Sequence, residues 1–280
     1  MLVALAQVNC RVDAVEENLC QARRLIGQAA ERGADLVVFP ELMLHGYPIG
    51  RYDASLAMTA DDQRLRCLAG DAQGAPAVVV GFHEESGPHT YNSVAYLGRG
   101  RLAHVHRKLY LPTYDIWEEH KHFSPGHSLR AFSTPLGQMG ILTCNDAWQA
   151  CPPFLLAQDG AEVLLIPANS VDSRAPDVID TPAYWRDVLC AVARMNEFWV
   201  VFVNRVGTQD GLEFWGGSCV VDPTGEVVAT APMKQEALLF ADIDVAAARR
   251  RRRQLPLLKD ARLGLLAREL DRLIAEGGNA

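Results

Sequence analysis

No Cys-x-x-Cys pair occurs among the seven cysteines of this chain, which stand at positions 10, 20, 67, 144, 151, 190 and 219. An odd count without paired spacing argues against a disulfide framework or a thiolate zinc site and fits reduced thiols in a cytoplasm. A basic face is lacking too. Lys and Arg number 27 against 34 Asp and Glu, a formal net charge of −7. Nonspecific nucleic-acid binding needs a positive surface that displaces counterions, so no nucleic-acid partner is expected. No run approaches the roughly 20 apolar residues of a membrane span. The opening MLVALAQVNCRVD has no basic leader and too short an apolar run for a signal peptide. Low-complexity linkers, repeats and composition shifts are also missing, so a single domain over 1–280 is expected. What remains is 49% hydrophobic and 22% charged, which suits a large core in a soluble cytoplasmic protein.

Strand-like and helix-like segments alternate. Val3–Val8 reads as a strand and Ala14–Glu31 as a helix, with Asp13 as N-cap, an apolar stripe at Val15, Leu19, Ala22, Ile26 and Ala29, and Gly33 as the stop. Leu36–Phe39 and Ala77–Phe82 are compact apolar strands. Tyr91–Leu97 and Leu102–Val105 flank Gly98-Arg99-Gly100 as a hairpin. Met139–Thr143 is a strand that leads into Cys144, and a short helix runs from near Pro152 to Gly160. Val163–Ile166, Trp199–Val203, Gly217–Val221 and Leu238–Ala241 are further strands. Thr181-Pro182 is expected to cap a helix bearing Trp185, Leu189, Val192 and Met195, and a last helix covers Leu263–Ile274. Such alternation predicts α/β layers with mixed sheets.

Three polar residues stand where α/β sheets put their sites, just beyond strand ends. Glu41 follows Leu36–Phe39, Cys144 follows Met139–Thr143, and Lys108 follows the hairpin. A thiol becomes a nucleophile when a nearby carboxylate takes its proton. The resulting oxyanion needs a fixed positive charge or donors, which an ammonium and the N–H of Asn145 would supply. Singly, each residue has a plain structural explanation: a small apolar thiol, a turn acid, a solvated surface charge.

The stretches around them supply the context. Phe39-Pro40-Glu41-Leu42 with Gly46-Tyr47-Pro48, then His106-Arg107-Lys108-Leu109-Tyr110-Leu111-Pro112, then Leu142-Thr143-Cys144-Asn145-Asp146 resemble, in order and spacing, the three signatures of the nitrilase superfamily of carbon–nitrogen hydrolases. Phe123-Ser124-Pro125-Gly126, Val203-Asn204-Arg205-Val206-Gly207 and Gly216-Gly217-Ser218 extend the likeness over nearly the whole chain. The resemblance implies a four-layer α-β-β-α sandwich and a Glu41-Lys108-Cys144 triad that needs no cofactor and no metal. It also implies a second glutamate before the Phe-x-Pro-Gly stretch, for which Glu119 matches better than its neighbour Glu118. Tyr47, Tyr114 and Trp148, in or beside these motifs, are expected with Asn145 to contact a small-molecule amide or nitrile. Association as a homodimer or larger homo-oligomer, through a C-terminal segment of about 245–280, is likewise implied by resemblance.

Two departures narrow the expectation. Val192 and Met195 stand where many members carry Arg and Glu in an Arg-Ala-x-Glu-Asn stretch. Cys144-Asn145-Asp146-Ala147-Trp148 is closer to the Cys-Glu-Asp-x-Trp of amide-hydrolysing branches than to the Cys-Trp-Glu of true nitrilases. An amide is therefore favoured, with nitrile hydrolysis and N-carbamoyl hydrolysis as rivals and a catalytically silent binding protein as the rival of another class. No Gly-rich phosphate loop is present, so an ammonia-consuming synthetase would be a separate protein. The five arginines Arg249–Arg253 invite a nucleic-acid reading, but acidic Asp242, Asp244 and Asp260 around them favour a salt-bridged, solvated segment.

Overall fold

A computed structural model describes residues 1–48, 53–70, 74–114, 117–173 and 179–278. Two six-stranded mixed sheets face each other. The first contains β1 (Leu2–Gln7), β2 (Leu36–Val38), β3 (Ala77–Ser86), β4 (His89–Gly98) and β5 (Arg101–Arg107). The second contains β6 (Phe132–Thr134), β7 (Gly137–Ile141), β8 (Val163–Ala168) and β9 (Trp199–Asn204). A separate hairpin pairs β10 (Val206–Gln209) with β11 (Leu212–Trp215). The chain returns through β12 (Cys219–Val221) and β13 (Val227–Thr230) to the second sheet, and through β14 (Ala237–Asp242) to the first. The strand orders are β14-β1-β2-β3-β4-β5 and β13-β12-β9-β8-β7-β6. Each sheet thus has a parallel centre, β1-β2-β3 or β7-β8-β9, and antiparallel flanks.

The layers follow from strand alternation, which sends successive side chains to opposite faces. In β1, Val3 and Leu5 join the core between the sheets, while Ala4 and Ala6 lie beneath α1 (Val15–Glu31). In β9, Val201 and Val203 face the other sheet, and Val200 and Phe202 face outward. Both sets are buried, which is why these strands are apolar throughout rather than alternating. The stripe Leu19, Ala22, Leu25 and Ala29 of α1 covers the first sheet together with Leu65 of α2 (Gln63–Arg66). Each fully buried leucine there stabilises by about 1.5–3 kcal/mol. The second sheet is covered by α3 (Cys151–Gln158) and α4 (Thr181–Asn196), through Leu156, Trp185, Leu189 and Ala193. The result is the expected α-β-β-α sandwich.

Several local expectations are corrected. Asp13 does not cap α1; it has φ +58°, and Ala14 precedes the helix without a side-chain cap. Asn18, in the first turn, ties the helix to the preceding loop, its side chain exchanging hydrogen bonds with the backbone of Arg11 at 3.0 and 2.7 Å. The cap of α4 is Asp180, which accepts from the Ala183 N–H, and Thr181-Pro182 form its first turn. Met195 is 68% exposed, off the buried stripe. The strand before Cys144 ends at Ile141, and the strand after Gly217 starts at Cys219 because Gly216 and Gly217 have φ +73° and +60°. The pair Phe214-Trp215 is core.

The arginine run lies in α5 (Val245–Gln254), where Arg249 pairs with Glu162 and Arg250 with Asp244. The last helix, α6 (Leu263–Ala275), exposes Leu263, Leu266, Leu270, Leu273 and Ile274. No described helix is long and apolar enough to cross a membrane.

Candidate active site

Glu41 is held by close backbone packing. Phe39 N–H donates to the Val79 carbonyl at 2.9 Å, and Leu44 N–H donates to the Gly81 carbonyl at 3.1 Å, so residues 39–44 lie against β3. A Cβ on Gly81 would stand 2.2 Å from the Leu42 nitrogen and 2.8 Å from the Glu41 carbonyl carbon. Only glycine allows that approach. The Glu41 carboxyl is fully buried. Its Oε1 accepts from Asn92 Nδ2 and Lys108 Nζ, both at 2.7 Å, and its Oε2 accepts from the Asn169 N–H at 2.8 Å.

Lys108 follows β5, with its N–H on the Asn92 carbonyl at 2.9 Å and its own carbonyl accepting from Gly126 N–H at 2.8 Å. The Phe-Ser-Pro-Gly stretch therefore braces the lysine from behind. Its Nζ reaches Glu119 Oε1 as well as Glu41, again at 2.7 Å. Burial alone would neutralise this amine, but Glu119, Glu41 and Cys144 around it overcome that and hold its pKa well above the ordinary value. Glu119 is buried and accepts from the Tyr47 hydroxyl, whereas Glu118 is exposed and pairs with Lys121. Burial, with Glu41 beside it, raises the Glu119 pKa to about 7 against the pull of Lys108 and Tyr47.

Cys144 opens a short 3-10 turn, Cys144–Trp148, with φ +46°. The left-handed backbone is strained for a residue with a Cβ, and such strain concentrates at functional positions. Desolvation by the surrounding protein, followed by the proximity of Glu41, pushes its thiol well above its ordinary pKa, with Lys108 and the Asn169 backbone N–H opposing. Asp146, two residues on, fastens this turn to the lysine loop. Its Oδ1 accepts from the N–H groups of Leu109 and Tyr110 at 2.9 and 2.8 Å, and its Oδ2 from Thr143 N–H at 3.0 Å. His106 Nε2 lies 2.9 Å from the same oxygen.

These groups meet in a cavity of about 320 Å³, a volume suited to a small organic molecule. Glu41, Lys108, Cys144, Glu119, Asn145, Tyr47, Tyr114 and Trp148 all line it, so the structure brings together every site residue expected from the sequence. Asn145 also donates its side-chain amide to the Tyr110 carbonyl at 3.1 Å. The sequence reasoning missed Asn92, Asn169, Asp146, Trp117 and Trp185. Asn169 was within its reach, because it directly follows β8 as Glu41 and Cys144 follow their strands. Of the loops that the sequence leads one to expect around the pocket, His45–Asp53, Thr113–His122, Asn169–Asp180 and Thr208–Trp215, positions 49–52, 115–116 and 174–178 lie outside the described residues. Among the described residues no group of three or more His, Cys, Asp or Glu side chains is disposed to hold a metal ion.

A double-sheet sandwich carrying a cysteine, a lysine and two glutamates in one buried cleft defines a class of thiol-bearing α-β-β-α hydrolases. The chain belongs to the carbon-nitrogen hydrolase family, whose family model matches residues 2–253. It is 32% identical over 244 residues to the glutamine-dependent NAD(+) synthetase of Thermotoga maritima, covering 87% of this chain and 42% of that protein. The chain thus spans less than half the length of that relative. It is 29% identical over 284 residues to the N-carbamoylputrescine amidase of Solanum lycopersicum, covering 93% of this chain and 91% of the relative. Among solved structures, an amidase from Nesterenkonia sp. superposes with a TM-score of 0.80 at 25% identity, over 96% of this chain and 95% of that one.

Proposed function

We propose that the protein hydrolyses a small, non-peptide amide through an acyl-thioester on Cys144. The observation that carries the reading is the convergence of Glu41, Lys108 and Cys144, with Glu119, on one cavity. A thiol whose pKa is raised rests protonated, so its proton leaves as the carbon–sulfur bond forms. Glu41 takes that proton, and the sulfur attacks the amide carbon. The oxyanion is held by Lys108 Nζ, which stays cationic between its carboxylates, and by the Asn145 N–H. Collapse expels ammonia or an amine, which takes the proton back from Glu41. Water then attacks the thioester with Glu41 as base and Glu119 orienting it, and the acid leaves with Cys144 reprotonated.

Hydrolysis of an N-carbamoyl amine is the second reading, favoured by near full-length similarity to a protein named for that activity. The same groups would serve, with carbon dioxide and ammonia as products beside the amine. Self-association belongs to the proposal as well, supported by the apolar face that α6 turns outward.

The test is ammonia release from simple aliphatic amides, ω-amides, N-carbamoyl amines and nitriles, with wild type and Cys144→Ala. Release from amides that vanishes in the variant is the expected result. Release that survives in Cys144→Ala would refute the thiol mechanism, and release from nitriles alone would refute the amide assignment.

A further inference from the structure

The cavity is rich in aromatic residues, with Tyr47, Tyr114, Trp117, Trp148 and Trp185 in its lining. Asp172 also lines it and is 40% exposed, at the open end, whereas Glu41, Lys108 and Glu119 at the inner end are at most 1% exposed. Asp172 is held by the neighbouring hairpin: Val171 bridges to Phe214, and the Asp172 N–H donates to the Glu213 carbonyl at 2.7 Å. Its Oδ2 lies 3.4 Å from Lys234 Nζ, but that ammonium is shared with Glu213 Oε2 at 2.9 Å. Two carboxylates on one lysine leave this trio with a net negative charge. The inner end repeats the arrangement, with Lys108 shared by Glu41 and Glu119. Among the described residues the second carboxyl oxygen of Glu119 is buried without a hydrogen-bond partner, a polar atom left for a bound molecule to meet.

Aromatic faces beside a carboxylate attract an ammonium by cation–π and Coulomb terms together and repel a carboxylate. We infer that the substrate carries a cationic amine at the end remote from the scissile carbon–nitrogen bond, and that Asp172 is the residue that selects it. This rests on the reading of the cavity as an amide-hydrolysing site and names its substrate class.

Three amides of similar length separate the possibilities: 5-aminopentanamide, pentanamide and 4-carbamoylbutanoate, which are cationic, neutral and anionic. Ammonia release should give kcat/KM in that order, with the cationic advantage shrinking at high salt. Asp172→Asn should lower kcat/KM for the cationic amide about fivefold, as expected for one half-exposed charge pair, and leave the neutral one nearly unchanged. Lys234→Ala should act in the opposite direction, raising the cationic preference. A role for Asp172 in loop structure alone would move all three amides together.

Calorimetric binding of the same amides to Cys144→Ala reads the selection without any turnover, so it stands or falls separately from the hydrolytic reading. The inference is overturned if the anionic amide binds or reacts as well as the cationic one. It is equally overturned if Asp172→Asn leaves their ratio unchanged.

Discussion

Replacing Lys108 by methionine removes one charge and strands two. Lys108 Nζ sits 2.7 Å from Oε1 of both Glu41 and Glu119, and all three side chains are at most 1% exposed. Breaking a buried ion pair by deleting one partner costs about 3–5 kcal/mol, because the remaining charge stays desolvated. For a chain of 280 residues, each kcal/mol moves the melting temperature by about 2–4 °C, so Lys108→Met should melt about 6–20 °C lower at pH 8. The deficit has a pH signature. Without the ammonium Glu119 binds its proton more tightly still in the folded state than in the unfolded one, since it already lies near 7 with Lys108 present. A folded-state pKa raised above the unfolded value gives stability that is present at low pH and lost as pH rises through the folded value. The deficit should therefore shrink toward pH 5 and also shrink in Lys108→Met/Glu119→Gln. Thermal unfolding by circular dichroism at pH 5 and pH 8 measures both effects. A deficit below about 2 °C at pH 8, or one independent of pH, would refute the argument that two buried carboxyls depend on this lysine.

Glu119→Gln should remove from the kcat/KM profile a limb with a midpoint near pH 7, the value to which burial raises this carboxyl; an unchanged profile would assign that limb elsewhere. Gly81→Ala should lower stability and turnover together, because the new Cβ would stand 2.2 Å from the Leu42 nitrogen and push the Glu41 segment off β3; a stable, fully active variant would contradict the packing. Acid should destabilise the fold through His45, whose Nε2 lies 2.9 Å from the Leu56 carbonyl and whose Nδ1 accepts from the His83 N–H at 3.1 Å. Protonation at Nδ1 would break that second bond, and burial lowers its pKa to about 4. Stability should be full above the unfolded value of about 6.5 and fall by about 3 kcal/mol as pH drops through 4; His45→Gln should flatten that slope in thermal melts.

How much of this was legible in the sequence depends on the kind of signal. The strands β1, β3, β8 and β9 announce themselves as apolar runs because both their faces are buried. Glu41 and Cys144 could be placed because each follows such a run, and ordered motifs distinguished Glu119 from Glu118. The pairings of β6, β10 and β13 were not foreseen: these strands are three or four residues long and carry too little periodicity. The helix α5 was hidden because a five-arginine run shows no apolar stripe. Its contacts, such as Arg249 with Glu162, span 87 positions. Asp13 looked like a cap by residue type, but its positive φ lies outside capping geometry. Asn92 sits inside β4 with nothing local to mark it, since what it does is set by the distant Glu41 that it touches, and Asn169 is marked only by its place directly after β8.

The site is assembled from two sheets that share no strand. Glu41 and Lys108 extend from the first sheet, and Cys144 and Asn169 from the second. A folding intermediate with one sheet formed holds either Glu41 and Lys108 or Cys144, and not the set proposed to act together. During refolding, catalytic activity should therefore lag the appearance of strand structure and rise only when Val3, Leu5, Val201 and Val203 close the interface between the sheets. Glu41 and Lys108, which act on the Cys144 thiol, reach it only when the two halves dock, so the reactivity of this thiol toward an alkylating reagent should change as they do.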